Sequence, residues 1–288
     1  MKPGALLRAV RPKQWVKNVL VVAGPLAGGW PNGWQTTVSV LVAFVCFCLA
    51  AAAVYLVNDV IDRPADRAHP VKRYRPIASG EIQPGAAVAA ALVFFTVSVL
   101  LAVLTGRASL SIVLGVYVVI QLAYCAWLKH QAVIDLAVVA SGFLLRAIAG
   151  GVAAGVVLSQ WFLLVASFGS LFMVAGKRYS EVHLIGEGAA QTRRALEDYS
   201  ASYLRFVWGL AAATTVTFYS LWAFEVGGGR PLFAQLSIVP FVLALLRYAV
   251  DIDRGVAGEP EAIVAGDRLL QALGVVWLLL FGASAVLM

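Results

Sequence analysis

TTVSVLVAFVCFCLAAAAVYLV, residues 36–57, runs directly into NDVIDRPADR, residues 58–67. The first stretch contains no charged residue, and about 20 apolar residues are enough for a helix to cross the hydrocarbon core of a bilayer. The second stretch contains one Asn, three Asp and two Arg residues. We therefore expect a membrane-spanning helix that carries a polar site at one of its ends.

The composition of the whole chain agrees with a membrane location. Of 288 residues, 61% are hydrophobic and 13% are charged, whereas a soluble domain has about 25% charged residues. Apolar runs long enough to span a bilayer predict an all-α, polytopic membrane protein with about nine helices in a single domain over residues 1–288. The run near 16–30 is short and rich in Gly and Pro, as in a helix broken beside a cavity. The predicted spans lie near 16–30, 36–57, 85–105, 108–128, 132–153, 159–177, 202–224, 231–250 and 268–287.

The charged residues predict the orientation of these helices. Of the 22 Lys and Arg residues, all except Arg107, Arg146 and Arg230 fall on the side of the N-terminus, and basic residues gather on the cytoplasmic side of membrane proteins. The net charge of +7 therefore has a topological explanation and does not indicate nucleic-acid binding. All acids except Glu225 lie on the same side, although acids contribute little to topology. We expect a plasma-membrane protein with a cytoplasmic N-terminus and its active site in cytoplasmic loops near 58–84, 178–201 and 251–267.

The acid cluster, defined as Asn58, Asp59, Asp62 and Asp66, has the spacing of a metal site. Three of these residues are four apart, so a helix would place them on one face with Asp59 beside them. Carboxylates held together repel one another unless a cation joins them, and hard oxygen ligands suit Mg²⁺, which keeps sites open for substrate phosphates. The alternative is an interfacial acidic loop paired with the two arginines of the same stretch, Arg63 and Arg67.

Basic residues follow in HPVKRYRPIASG, residues 69–80. Arg binds phosphate oxygens with its planar fork and Lys binds them as a point charge. We expect Lys72, Arg73 and Arg75 to contact phosphates, together with Arg67. His69 is a lone imidazole and is expected to form hydrogen bonds within the loop.

Four motifs together carry a resemblance to a known family. They are the Asn-Asp-x-x-Asp-x-x-x-Asp run, Arg-Pro-Ile-Ala-Ser-Gly, Tyr124-x-x-x-Leu128-Lys129 and Gly142-Phe143-x-x-Arg146. Over nearly its whole length the chain resembles the UbiA-type superfamily of intramembrane prenyltransferases. The resemblance implies a helical bundle around a central cavity, with a Mg²⁺-bridged diphosphate held between two facing motifs at the cytoplasmic mouth.

The second of those motifs departs from the usual pattern. Where ordinary members carry acids, residues 176–181 read GKRYSE, with two cations and one acid, and such a site should bind more phosphate charge. With RPKQWVKN at residues 11–18, this looks like the decaprenyl-phosphate phosphoribosyltransferase branch, which contributes to the synthesis of cell-wall arabinan precursors. That branch implies phosphoribosyl pyrophosphate as the donor and a polyprenyl phosphate as the acceptor. The implied catalytic residues are Asp59, Asp62, Asp66 and Lys177, and the implied substrate-binding residues are Lys17, Asn18, Asn58, Arg67, Lys72, Arg73, Arg75, Tyr124, Lys129, Arg146, Arg178 and Glu181.

Several alternatives stay open at this level. Arg146 lies deep in a predicted span, so it contacts either a substrate or an internal partner. The loop near 251–267 is either a substrate lid or a solvated linker. A prenyltransferase that joins a prenyl diphosphate to an aromatic acceptor is one rival function, and a transporter is another. The length of the polyprenyl chain and the existence of a homo-oligomer are not determined by the sequence.

Overall fold

The computed structural model describes residues 3–28, 33–186, 198–225, 231–258 and 260–286. Within these ranges the chain forms helices and no β-strand. The helices group into two compact units. Unit 1 comprises Met1–Val138 and Leu145–Val157, and unit 2 comprises Val139–Leu144 and Leu158–Met288.

Unit 1 is built around one long helix, α3. Two buried clusters pack against α3: one brings Phe47 together with Tyr117 of α6, and the other brings Leu56 together with Ile77 of the loop that follows α4. The helices of this unit are α1 (Pro3–Ala9), α2 (Leu20–Ala27), α3 (Trp34–Ile61), α4 (Arg63–Ala68), α5 (Pro84–Leu104), α6 (Ala108–Ala126) and α7 (Ile134–Ala154), with 3-10 turns at Pro12–Val19, Lys72–Tyr74 and Leu128–His130.

Small residues set the contact between α2 and α7. A Cβ atom added at Gly24 would lie 2.4 Å from the carbonyl oxygen of Ala147, and one at Gly150 would lie 1.6 Å from the carbonyl oxygen of Val21. Glycines therefore let the two backbones touch, as small residues commonly do between membrane helices. The predicted span near 16–30 begins as a 3-10 turn and continues as the eight-residue α2, and is not one continuous long helix.

Unit 2 has an aromatic core. Tyr219, Trp222, Phe241, Trp277 and Phe281 lie in ring contact with one another. The indole N–H of Trp277 donates to the Tyr219 hydroxyl at 2.7 Å, so these buried polar atoms are satisfied. The helices of unit 2 are α8 (Gln160–Gly186), α9 (Ala201–Glu225), α10 (Pro231–Asp253), α11 (Pro260–Gly266) and α12 (Arg268–Val286).

Seven helices in the described part of the chain are long and apolar enough to cross a membrane, namely α3 and α5 to α10. The apolar stretch of α12, Arg268–Ser284, is shorter. Large apolar side chains such as Leu92, Leu100, Ile112 and Val119 are exposed on α5 and α6, where lipid would cover them. The prediction of an all-α polytopic membrane protein is confirmed; the count of nine spans and the side of the N-terminus stay predictions.

Candidate active site

The acid cluster lies at the junction of α3 and α4, and helical hydrogen bonding continues through it. The backbone N–H of Asp62 donates to the Asn58 carbonyl and that of Asp66 donates to the Asp62 carbonyl, both at 2.8 Å. Pro64 sits in the first turn of α4, where no backbone N–H is needed for the helix. The four-residue spacing therefore keeps its helical register across the proline.

Arginines from two distant segments bind the buried acids of this cluster. Asp59 and Asp66 are 2% and 4% exposed, and buried carboxylates require paired charges. One nitrogen of Arg75 donates to Asp66 at 2.8 Å and to Asp59 at 3.3 Å. Arg11 donates to the same Asp59 oxygen at 2.5 Å. Two carboxylates thus already share one cationic group.

Asp62 has a different set of partners. The side-chain amide of Asn58 donates to one of its oxygens at 3.0 Å, and the ammonium of Lys129 forms an ion pair with the other. Lys129 is only 3% exposed and lies in the 3-10 turn after α6. Tyr124, also buried, precedes it on α6. The structure therefore brings the Tyr-x-x-x-Leu-Lys motif to the acid cluster through Lys129.

The two arginines within the acidic stretch do not neutralise it. Nε of Arg67 donates to the Ala78 carbonyl at 2.9 Å, and the buried Nε of Arg63 has no hydrogen-bond partner among the described residues. The acids are ion-paired, as that alternative expects, but their partners are Arg11, Arg75 and Lys129 in place of Arg63 and Arg67.

The loop after α4 is anchored by its apolar residues, while its basic residues stay more accessible. Ile77 and Ala78 are buried, which fixes the position of the neighbouring Arg75. Lys72 is half-buried and Arg73 is exposed, with the Arg73 guanidinium donating to the Tyr74 hydroxyl at 2.7 Å.

His69 forms hydrogen bonds within this loop, as expected. Its Nδ1 accepts the backbone N–H groups of Val71 at 3.1 Å and Lys72 at 3.2 Å. Partial burial, and then the positive charge of Lys72, lower the pKa of His69 below its usual range. The neutral imidazole that these two hydrogen bonds require is therefore favoured.

Arg11 is a residue of the site that the sequence motifs do not single out. It adopts a left-handed backbone conformation, with φ 51° and ψ 63°, immediately before a proline, and such conformations are strained for residues other than glycine. Its guanidinium lies 5.0 Å from the centroid of the Tyr55 ring as well as on Asp59. The only sequence signal was its place in the opening basic motif, because the separation of 48 residues from Asp59 is invisible to local patterns.

A second buried polar group joins two other predicted residues, Asn18 and Arg146. Nε of Arg146 donates to the Asn18 side-chain oxygen at 2.6 Å, and another of its nitrogens donates to the Tyr117 hydroxyl at 3.0 Å. The Asn18 amide in turn lies 3.2 Å from Sγ of Cys48. These contacts favour the internal-partner alternative for Arg146. Nearby in sequence, Lys17 donates to Gln14 at 2.5 Å.

In unit 2 the second motif lies near the C-terminal end of α8. Arg178 is buried and donates to Glu181 at 2.6 Å, one helical turn away. Lys177 is half-buried. The second motif therefore contains the ion pair of Arg178 with Glu181 next to the half-buried Lys177.

The donor set of the acid cluster suits a hard divalent cation by type. Carboxylate and amide oxygens are the ligands that Mg²⁺ prefers, and the bridging of Asp59 and Asp66 by one Arg75 nitrogen places two carboxylates within reach of a single cation. No group of three or more acidic, His or Cys side chains among the described residues is arranged as a metal site.

Comparison with known proteins agrees with these motifs. The model of the UbiA prenyltransferase family matches residues 19–270. The chain is 51% identical to the decaprenyl-phosphate phosphoribosyltransferase of Mycolicibacterium smegmatis, over 97% of this chain and 92% of that protein. It is 50% identical to the enzyme of the same name from Corynebacterium glutamicum, over 94% of this chain and 84% of that protein. Among solved structures, a UbiA homologue from Archaeoglobus fulgidus bound to GPP and Mg²⁺ has the same fold, with a TM-score of 0.73, 20% identity and coverage of 99% of this chain and 100% of that one. The chain therefore belongs to the UbiA prenyltransferase family.

Proposed function

We propose that this protein transfers the 5-phosphoribosyl group from phosphoribosyl pyrophosphate to a polyprenyl phosphate, decaprenyl phosphate in particular, and releases pyrophosphate. The observation that carries the proposal is the identity of about half of all residues, over nearly the full length, with proteins named decaprenyl-phosphate phosphoribosyltransferase. The cations of the second motif support it, because this donor and this acceptor together bring more phosphate groups than an ordinary prenyl transfer does.

In this reaction the bond between the anomeric carbon and the pyrophosphate oxygen breaks, and its electron pair leaves with pyrophosphate. An oxygen of the acceptor phosphate forms the new bond to that carbon. The acceptor is already an anion, so no strong general base is required. In-line attack opposite the leaving group inverts the anomeric centre.

The acid cluster is the proposed place for Mg²⁺, held by Asn58, Asp59, Asp62 and Asp66. The metal would neutralise the charge that develops on the leaving pyrophosphate. The UbiA homologue from Archaeoglobus fulgidus was solved with Mg²⁺, which supports use of a divalent cation in this fold.

Basic residues in each of the two units are the proposed phosphate contacts. Lys72, Arg73 and Lys129 would bind phosphate oxygens in unit 1, and Lys177 and Arg178 would do so in unit 2. Among these residues, Lys177 is the main proposed phosphate-binding residue, because it occupies a position where prenyltransferases have acidic residues. Charge-assisted contacts of this kind are among the stronger hydrogen bonds in proteins.

We place the reaction at the cytoplasmic face of the plasma membrane, with the lipid acceptor entering from the bilayer. The one-sided distribution of acids and bases supports this orientation. The product would serve as a precursor of cell-wall arabinan.

Metal dependence tests the site directly. Activity of the purified protein should vanish in chelator and return with Mg²⁺, because the acids have no other evident use in transfer. Asp62→Ala should lower kcat by at least about 100-fold, a loss typical of removing electrostatic stabilisation of developing charge. Glu225→Ala, an exposed acid on the predicted outer side, is the matched control and should retain activity. Full activity in chelator would exclude the proposed metal site.

A further inference from the structure

The turn after α10 has a conformation fixed by its own sequence. The N–H of Gly255 donates to the Ile252 carbonyl at 2.9 Å and that of Val256 donates to the Asp251 carbonyl at 3.1 Å. Gly255 has φ +72°, the left-handed conformation that ends many helices in this pattern of paired hydrogen bonds. The turn 251–257, as we call this segment, is therefore a defined structure and folds back towards α8.

One hydrogen bond ties the turn to the second motif. The backbone N–H of Ala257 donates to the hydroxyl of Ser180 at 3.0 Å, and that hydroxyl donates to the Gly176 carbonyl at 3.2 Å. Ser180 and Ala257 are fully buried. Loss of the serine hydroxyl would leave a buried N–H without its acceptor, which is a costly defect.

Two glycines bring the turn and α8 into close contact. A Cβ atom at Gly176 would lie 2.4 Å from Cδ1 and 2.7 Å from Cγ1 of Ile252, and Ile252 is fully buried. A Cβ atom at Gly255 would lie 2.5 Å from the ring of His183. The spacing between the two segments therefore tolerates no added methyl group without movement.

A third link passes through Arg205 of α9. Its guanidinium donates to the Tyr179 hydroxyl at 2.7 Å and lies 3.2 Å from a carboxylate oxygen of Asp253. The ion pair is exposed and contributes little by itself. Tyr179, however, is buried. Arg205 therefore connects a buried residue of the second motif to Asp253 of the turn 251–257.

These contacts all fall on one face of α8. At about 100° per residue, Gly176, Ser180 and His183 project together, Arg178 projects towards the opposite side of the helix, and Lys177 projects to the side between them. A displacement at the supported face would therefore move the two cations as a rigid part of the same helical turn.

We propose that the turn 251–257 positions the Lys177–Arg178 pair, with Ser180 and Ile252 as the positioning residues. The proposal rests on the proposed function, in which those cations contact donor phosphates. It gives this part of the loop a fixed supporting role in place of the movable lid that the sequence left open.

A double-mutant cycle at Gly176 and Ile252 tests the proposal. Gly176→Ala should raise the KM for phosphoribosyl pyrophosphate about tenfold, since misplacement by about an ångström costs up to roughly 100-fold, and should change the KM for polyprenyl phosphate less. Ile252→Ala removes both atoms that the new methyl group would meet. In that background Gly176→Ala should change the donor KM by no more than about twofold, which would demonstrate coupling between the two residues.

The matched control is Gly209→Ala on α9, another helical glycine of unit 2, whose added Cβ would meet nothing within 4 Å. It should leave the donor KM unchanged. Ser180→Ala provides a second, independent route if Gly176→Ala does not fold. If Gly176 and Ser180 had a purely structural role, their variants would have a lower melting temperature and a lower kcat, but the donor KM would stay constant across the cycle. That result would overturn the proposal.

Hydrogen exchange separates this proposal from the proposed function. Without any substrate, amides of residues 176–183 should exchange faster in Gly176→Ala and Ser180→Ala than in the unmodified protein or Gly209→Ala. Absence of phosphoribosyl transfer by the unmodified protein would refute the proposed function, and the exchange rates alone would then decide whether the turn holds the motif. Unchanged exchange in both variants would refute the positioning role.

Discussion

Arg11 holds a buried carboxylate from a strained backbone position. Its side chain is 27% exposed, and that of Asp59 is 2% exposed, so loss of the guanidinium would leave Asp59 with only the longer contact to Arg75. Arg11→Gln should therefore destabilise the protein by about 1–3 kcal/mol, the usual cost of depriving a buried charged group of a partner. Thermal unfolding in one detergent measures this effect.

Lys13→Gln is the control for that measurement. Lys13 is exposed in the 3-10 turn that Arg11 precedes, so its substitution removes the same charge without a buried partner. Arg11→Lys should recover part of the stability. Equal melting temperatures for Arg11→Gln and Lys13→Gln would contradict the role assigned to Arg11.

At the residue scale, the sequence predicts what depends on local spacing. The helical register of Asn58, Asp62 and Asp66 and the loop hydrogen bonds of His69 follow from neighbouring residues, and the structure has both. The pairing of Arg11 with Asp59 and the partners of Arg146 depend on tertiary contacts between distant segments. No periodicity or motif spacing carries that information.

At the scale of elements, the contact between α2 and α7 should be intolerant of any side chain at Gly150. The atom that an added methyl group would meet is the Val21 carbonyl oxygen, at 1.6 Å, and a backbone atom cannot rotate away. Gly150→Ala should destabilise by about 3 kcal/mol or more, at or above the upper end for overpacking. Gly115→Ala on α6, where an added Cβ meets nothing within 4 Å, should instead stabilise by roughly 0.5–1 kcal/mol. If Gly150→Ala and Gly115→Ala shifted the melting temperature in the same direction, the proposed close contact between α2 and α7 would be contradicted.

Long apolar helices were predictable because their length and composition are local properties. The segment near 16–30 was harder, since Pro25 lies inside α2 and Pro12 opens the preceding 3-10 turn, which breaks the run into short pieces. The turn 251–257 was also left undetermined by the sequence. Its two acids and Gly255 fit a linker equally well, and it is tertiary contacts, such as those of Ser180 and Gly176 with the turn, that favour a support over a lid.

At the scale of the whole molecule, the distribution of charge predicts a fixed orientation in the membrane. Single cysteines at Ser79 and Ser109, both exposed, can be introduced after Cys46, Cys48 and Cys125 are replaced by alanine. Position 79 should react only with a cytoplasmic thiol reagent and position 109 only with an external one, because basic residues mark the inner side. Labelling of both positions from the same side would contradict the predicted topology.

The identity of the donor and the acceptor is the central claim, and a direct transfer assay tests it. Purified protein with Mg²⁺ would receive either labelled phosphoribosyl pyrophosphate with a polyprenyl phosphate, or a labelled prenyl diphosphate with an aromatic acid. We predict a labelled phosphoribosyl lipid and stoichiometric pyrophosphate in the first reaction and no product in the second. Prenylated aromatic product without any phosphoribosyl lipid would contradict the account and identify an ordinary prenyltransferase.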